Sequence, residues 1–482
     1  MNPAIIIILI IGIIVYFKVI KPKDKKEEEQ EKNSQTVNTT GADYYYHLPK
    51  YDTQHTLVTG TTGSGKTQLL YRLLQDRMKQ PGRFIIFDLD ADYLKSFYKK
   101  GDVILDIMDA RSFVWDFLEE IDDPAMLRQA AYLLIPPNPK ESQPFFRNSA
   151  RDMLEAKLIK LWQNGTRTNA DIINNAVKID NSSNKDAAST YKQALRPLLF
   201  FNTAGEKFKL REWLFNPQDS RKIFLTYALN YEDIERPFLN LFTSTLNNTI
   251  LSKEFSNNKN KINIFIDELA NIGKIENIDR TLSLSRHKNV AYFLATQSPK
   301  TLHGIYDDAF YGILENCNNN YHFRANERES AELISKSFGE KEVREMLSST
   351  SSHSSDGLFG GTQGMTEHIR KVDIVMSSEV LGLEPLMYYA RFLTDAGIRN
   401  VRRKLNYIPP EYQEDIRNFV KRTEWNIPEF TENQAGQNLK AVYESEEPEP
   451  AQAENSEEKN PDPEENLKTA FKQVLTQKMS KS

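Results

Sequence analysis

Gly60-Thr61-Thr62-Gly63-Ser64-Gly65-Lys66-Thr67 is a complete G-x-x-x-x-G-K-T loop, and it follows the strand-like run His55 to Val58. Glycines let the backbone N–H groups turn inward around a phosphate. Lys66 can reach the β/γ oxygens, and the Thr67 hydroxyl can ligate Mg²⁺. Gln68 to Lys79 reads as an amphipathic helix, so the bound anion would face the positive end of a helix dipole. Strand before and helix after are the context this motif requires. The chain is therefore expected to bind ATP and Mg²⁺ through Gly60, Thr61, Thr62, Gly63, Ser64, Gly65, Lys66 and Thr67.

A second constellation lies some two hundred residues on. Ile262 to Ile266 is a buried-strand pattern ending in Asp267-Glu268. In phosphate-loop enzymes such a pair divides its work, the Asp holding the Mg²⁺ shell and the Glu polarising the attacking water. A plain helix N-cap is the structural alternative for Asp267. Val290 to Ala295 is another apolar strand and ends at Thr296-Gln297-Ser298, which places Gln297 to sense the γ-phosphate or orient water. Between these strands, Arg286 ends a helix expected over Asn277 to Arg286. It could reach the phosphoryl group of a neighbouring subunit, or serve only as a solvated cation at the helix end. No two His or Cys residues stand at metal-ligand spacing, and no nucleophile elbow occurs.

The elements that must position these groups alternate. Strand-like runs at His55 to Val58, Phe84 to Phe87, Val103 to Leu105, Lys222 to Tyr227, Ile262 to Ile266, Val290 to Ala295 and Asn320 to Arg324 are separated by helical spacing. The expected fold class is α/β, a mostly parallel sheet with helices on both faces. From 116 to 208 the strand signal disappears. Ala125 to Leu134, Phe145 to Trp162, Asn169 to Val177 and Ala187 to Leu199 fit helices, so an all-α domain is expected to be inserted there. Its basic residues, Arg147, Arg151, Lys157, Lys160 and Arg167, are mixed with acids and mark no DNA surface. Leu347 to Gly364, rich in serine and glycine, reads as a flexible exposed loop.

Across 482 residues, 39% hydrophobic and 27% charged, there is room for two or three globular domains. Ala4 to Phe17 is a run of fourteen apolar residues or glycine, followed by Lys18, Lys21, Lys23, Lys25 and Lys26. No basic residue precedes it and no small-x-small site follows it, which argues against a cleaved signal. Residues 1–21 are thus expected to form a single membrane anchor with the bulk of the chain cytoplasmic, and 22–43 a linker. The acidic segment Glu444 to Glu465 carries nine Glu and one Asp against one Lys, a net −9, so the rest of the −5 chain stands at +4. Residues 429–465 are expected to be a disordered acidic tail, and 466–482, with Leu467, Ala470, Phe471, Val474 and Leu475 at helical spacing, a C-terminal amphipathic helix. The single cysteine, Cys317, rules out an internal disulfide framework.

The order Gly-Thr-Thr-Gly-Ser-Gly-Lys-Thr, then Phe-Ile-Asp-Glu-Leu-Ala, then Leu-Ser-Leu-Ser-Arg-His-Lys-Asn-Val, then Ala-Thr-Gln-Ser resembles the coupling proteins of type IV secretion and conjugation systems, the TrwB/TraD family. Weaker likeness extends through Ile85 to Tyr93, Val114 to Phe117, Phe208 to Leu214 and Ser377 to Leu381, and so covers most of residues 50 to 395. The resemblance implies a RecA-like core over 44–115 and 209–428, assembled as a ring-shaped homo-hexamer at the bacterial inner membrane. It implies DNA as substrate, chiefly single-stranded, with relaxase and relaxosome proteins on one side and the type IV secretion channel on the other. By motif position, Lys66 and Thr67 would carry triphosphate and metal, Asp267 the metal, Glu268 the water, Gln297 the sensor role and Arg286 the arginine finger. Two departures stand out. Many members have two N-terminal membrane helices where this chain offers one, and Asp88-Leu89-Asp90-Ala91-Asp92 replaces the Pro-x-Gly often found after the second strand. These motifs are also shared by DNA translocases of other cellular purpose, and a substrate-recruiting adaptor with nucleotide-controlled assembly would carry the same tail.

Overall fold

The computed structural model describes residues 53–137, 144–176, 191, 196–201, 204–227, 229–352, 361–394 and 397–425. All of them belong to the first of two compact units, Met1–Pro428. The expected anchor, linker, acidic tail and C-terminal helix lie outside the described residues, as does most of the helix expected over Ala187 to Leu199.

Thirteen strands are described: β1 Thr56–Thr59, β2 Arg83–Asp88, β3 Val103–Leu105, β4 Val114–Trp115, β5 Lys207–Phe208, β6 Ile223–Thr226, β7 Ile262–Ile266, β8 Val290–Thr296, β9 Asn319–His322, β10 Glu340–Ser352, β11 Gly361–Asp373, β12 Met387–Thr394 and β13 Gly397–Lys404. Nine build the central sheet in the order β13-β12-β9-β1-β8-β7-β2-β6-β3. From β9 to β3 every neighbouring pair is parallel, so seven strands send their carboxyl ends to one edge. β12 and β13 add an antiparallel hairpin beyond β9.

β1, β2, β6, β7 and β8 are buried along their whole length, as parallel strands covered on both faces must be. On one face Val58, Ile86, Phe265 and Phe293 pack against Leu69, Leu70, Leu73 and Leu74 of the helix Lys66–Met78. The rings of Phe265 and Phe293 stack at 4.2 Å. Cys317 is also part of the interior, its thiol pushed up to about 12 by burial.

β4 and β5 pair in parallel, and every regular element described between them is helical: Ala125–Leu134, Pro144–Gln163, Asn169–Ala176 and Arg196–Leu199, with a 3₁₀ turn at Phe117–Glu120. Trp115 anchors this region on the long helix Glu232–Leu251, its ring edge-on to Phe238 at 5.5 Å and Phe242 at 5.2 Å.

Three local expectations change. The helix expected over Asn277 to Arg286 is Ile278–Ser285, and Arg286 opens a separate 3₁₀ turn, Arg286–Lys288. The last expected strand begins one residue earlier and ends two residues earlier, at Asn319–His322. Within the segment expected as a flexible loop, Leu347 to Gly364, the described residues are strand: β10 and β11 form a thirteen-residue antiparallel ladder reaching Ser352 and Gly361. Its pairing comes from the backbone, so a run of serines and threonines can enter it without apolar alternation.

After β13 the chain runs from 405 to 425 as an extended strap bearing one isolated bridge, Lys421 to Asp109. Among the described residues no helix is long and apolar enough to cross a membrane.

Candidate nucleotide-binding site

The loop Gly60 to Thr67 leaves the carboxyl end of β1 and runs directly into the helix Lys66–Met78. Its shape depends on two glycines. Gly60 has φ +154°, and a Cβ there would lie 2.5 Å from Phe323 Cβ and 2.7 Å from Ser64 Oγ. Gly65 has φ +122°, and a Cβ would lie 2.9 Å from Phe323 Cε1 and 3.0 Å from Leu386 Cδ2. Phe323 and Leu386 thus form a floor that only bare backbone can approach. The loop is tied down by hydrogen bonds from Thr61 N–H to the Arg324 carbonyl (2.9 Å), from the Ser64 hydroxyl to the Thr61 carbonyl (2.6 Å) and from Leu386 N–H to the Ser64 carbonyl (2.8 Å). Leu386 holds this contact at φ +67°, a conformation a leucine rarely adopts.

Within the loop Lys66 and Ser64 are buried, while Thr62, Gly63 and Thr67 are exposed. Burial pushes the Lys66 ammonium down, and the carboxylates of Glu268 and Asp267 oppose that shift. Lys66 and the acidic pair therefore share one electrostatic site despite their separation in sequence.

Asp267 and Glu268 follow β7, two strands away from β1 with β8 between. Asp267 accepts a hydrogen bond from the Tyr93 hydroxyl at 3.0 Å. Burial pushes its carboxyl up, Tyr93 and Lys66 pull it back, and Asp90 and Asp92 add to the rise. Glu268 is buried and accepts the Gln297 backbone N–H with both oxygens, at 3.0 and 3.3 Å. Burial also raises its carboxyl, against Lys66 and these donors. Each carboxyl thus holds its proton more strongly than it would in water, beside a lysine that counters the effect.

Gln297 stands at the end of β8, between the loop and the acids, and its side-chain oxygen accepts the Thr62 hydroxyl at 3.3 Å. The strand order therefore brings loop, amide and acidic pair together at one sheet edge. Arg286 is not brought to it. That residue lies before β8, its Nη1 donating to the Gln54 side chain (3.1 Å) just ahead of β1, so the full length of two parallel strands separates it from Gly60 and Gln297.

Sequence reading missed Tyr93, Asp88, Phe323 and Leu386. The acidic run 88–92 held a signal for the first two, since it directly follows β2, the neighbour of β7. Asp88 is buried and accepts Leu94 N–H at 2.8 Å in the first turn of the helix Asp92–Phe97. Burial holds its carboxyl well above the usual range. Nothing in the local sequence marks Phe323 or Leu386, whose role is set by chain segments far from the loop.

The residues present suit a nucleotide and a hard divalent cation. A glycine cradle closed by Phe323 and Leu386 leaves its backbone donors free of side chains, and the oxygen donors Thr67 and Asp267 sit on either side of Gln297.

Residues 47–194 and 181–404 match the profile of the type IV secretion-system coupling protein DNA-binding domain. Coupling protein TraD of Escherichia coli (strain K12) is 24% identical over 318 residues, a stretch covering 60% of this chain. The chain spans 44% of that relative's length. Among solved structures, the unbound bacterial conjugative coupling protein TrwBdeltaN70 superposes with a TM-score of 0.65 at 21% identity, covering 80% of this chain and 92% of its own. Plasmid coupling protein TrwB in complex with ADP and Mg²⁺ gives 0.63 at 20%, covering 80% and 92%. These likenesses establish a shared RecA-like fold. Because the family profile spans most of the sequence, the chain belongs to the type IV secretion-system coupling proteins.

Proposed function

We propose that this chain is a membrane-anchored, hexameric ATPase that links the relaxosome to a type IV secretion channel and drives single-stranded DNA through it during conjugation. The observation that carries the enzymatic part is the convergence of Lys66, Asp267, Glu268 and Gln297 at one sheet edge. In this reading the N–H groups of Thr62, Gly63 and Gly65 to Thr67 and the Lys66 ammonium hold the triphosphate, while those of Gly60, Thr61 and Ser64 are spent on the carbonyls of Thr296, Arg324 and Thr61 and shape the loop. Thr67 and Asp267 would hold Mg²⁺, as TrwB binds ADP with Mg²⁺. The ion supplies charge neutralisation on the phosphates.

Water adds to the γ-phosphorus as the bond to the bridging β,γ oxygen breaks, giving ADP and phosphate. Glu268 orients that water and accepts its proton, a task suited to a carboxyl whose proton affinity burial has raised. Gln297, tied to the loop through Thr62 and to Glu268 through its backbone, aligns water with phosphate. Arg286 is too remote for its own site and would act as the finger of the neighbouring subunit. Residues 1–21 would anchor the ring in the inner membrane, and the helices between β4 and β5, in an insert bounded near 116 and 208, would lie toward incoming substrate.

The test is ATP hydrolysis by the 482-residue chain with and without single-stranded DNA over a range of protein concentrations, beside the Glu268→Gln variant. DNA-stimulated hydrolysis that rises cooperatively with protein and disappears in the variant is expected. Hydrolysis indifferent to DNA and to concentration would replace the motor with an adaptor, and deletion of Glu444 to Ser482 would then abolish transfer altogether.

A further inference from the structure

A nucleotide held by the Gly60–Thr67 loop has a direction on the sheet. Lys66 serves its β/γ end. The two groups assigned to the γ-phosphate and its water, Gln297 and Glu268, follow β8 and β7, both on one side of β1. The γ-phosphate thus points toward β8 and β7. On the other side of β1 the sheet continues through β9, β12 and β13. The ribose and base therefore leave over that flank, across the first turn of the helix Lys66–Met78.

The strap that follows β13 occupies this flank. Leu386 N–H donates to the Ser64 carbonyl and Leu405 N–H to the Leu386 carbonyl, both at 2.8 Å, which ties the start of the strap to the loop. Arg72 Nη1 then donates to the Asn406 carbonyl at 3.3 Å, and Ile408 N–H donates to Gln68 Oε1 at 3.2 Å. Gln68 directly follows Thr67, and it shares a helix face with Arg72, four residues on. Tyr407 is thus held between two backbone anchors, one residue from a contact to the end of the cradle. A third anchor, Glu411 N–H to the Tyr71 hydroxyl at 3.1 Å, keeps the strap on the same helix. Yet Tyr407 is 62% exposed, Ile408 45%, and Pro409 is exposed as well. An apolar step on pinned backbone lies open to water where the base emerges. A tyrosine ring loses little freedom on contact, and every nucleobase offers it a π face.

We propose that Tyr407 is the base-stacking residue of the nucleotide site, its ring lying against the nucleobase with Ile408 beside it, so that the strap supplies the half of the site that the glycine loop does not. This role rests on the nucleotide reading of the cradle, and experiment separates the two.

ADP and inorganic tripolyphosphate are the probes, since both fill the cradle and only ADP carries a base. Calorimetry on the full chain with Mg²⁺ is expected to show Tyr407→Ala binding ADP about tenfold more weakly than the natural sequence, with tripolyphosphate affinity within about twofold. Tyr407→Phe, which keeps the ring and loses the hydroxyl, is expected to restore ADP affinity. Equal weakening of both probes in Tyr407→Ala would assign the residue to the shape of the loop, and unchanged ADP affinity would leave the base unheld by it; either overturns the proposal. Failure of the natural sequence to bind either probe would overturn the nucleotide reading, and this role with it. Should the variants fold poorly, photolabelling of the natural sequence with an azido-adenine analogue of ADP decides the matter: label within 405–412 supports the stack, and label confined to other segments refutes it.

Discussion

Glu268 and Lys66 divide the two halves of the proposed reaction, and substitution should separate them. Glu268→Gln keeps the size and the acceptor for Gln297 N–H but removes the base. Hydrolysis is expected to fall at least about 100-fold with ADP affinity within a few-fold of normal, checked by steady-state turnover beside calorimetric binding. Lys66→Ala should lose nucleotide binding itself. Tyr93→Phe takes away the hydroxyl that holds Asp267 in its charged form, so the Asp267 carboxyl rises further. A raised carboxyl is protonated at higher pH. Mg²⁺-dependent ADP binding in that variant should therefore weaken relative to the intact chain as pH is lowered and recover as it is raised, by roughly 2–10-fold, the range that the loss of one hydrogen bond permits. Lys66, Thr67, Asp267, Glu268 and Gln297 were legible from sequence because their chemistry dictates residue type at the end of a strand. Tyr93 was not, since its partner lies 174 residues away and only the pairing of β2 with β7 joins them.

At the level of elements, continuous apolar runs betrayed the inner strands, whose burial on both faces leaves no other composition open. β13, the outer strand of the hairpin, escaped notice because an edge strand with Arg399, Arg402, Arg403 and Lys404 has little of the buried-strand signature. Yet that hairpin matters to the loop, for Leu405 N–H binds the Leu386 carbonyl at 2.8 Å while Leu386 N–H binds Ser64. Gly65→Ala would drive a methyl into Phe323 and Leu386. It should raise the dissociation constant for ADP more than about tenfold, measured by calorimetry, while circular dichroism stays native. The β10–β11 ribbon is the contrasting case. Met346 and Ile369 on it are exposed, and its ladder pairs only with itself. Replacing residues 343–370 by a two-residue Asn-Gly turn is expected to leave the melting temperature within about 2 °C of the intact chain, because little of the core is lost.

For the molecule as a whole, acid is the informative stress. His55 is buried and neutral, accepting Tyr292 N–H on Nδ1 and donating from Nε2 to the Leu282 carbonyl; burial pushes it down to about 3. An unfolded chain takes up that proton near pH 6.5 and the folded one does not, so stability is lost as pH falls from 6.5 toward 3. Buried carboxyls such as Asp88 act in the opposite direction, and a difference measurement cancels them. Between pH 5.5 and 4 the natural sequence should lose about 1.4 kcal/mol per pH unit more than His55→Gln, read from urea unfolding at each pH. The strap from 405 to 425 closes the same body. Tyr412 donates to Asp92, Gln413 to three carbonyls between 95 and 98, and Arg422 to the carbonyls of Ile107 and Asp109, while Trp425 packs on Phe200 at 5.2 Å. The pairing of β1 carries one further consequence, which concerns birth rather than function. Thr59 finds its ladder partners only at Thr296 and His322. At roughly 5–20 residues per second of translation, the Gly60–Thr67 segment waits on the order of ten seconds to a minute before either flanking strand has been synthesised. Until then the nascent chain can have no formed phosphate cradle, and a ribosome stalled before residue 290 would present β1 as an open edge to chaperones.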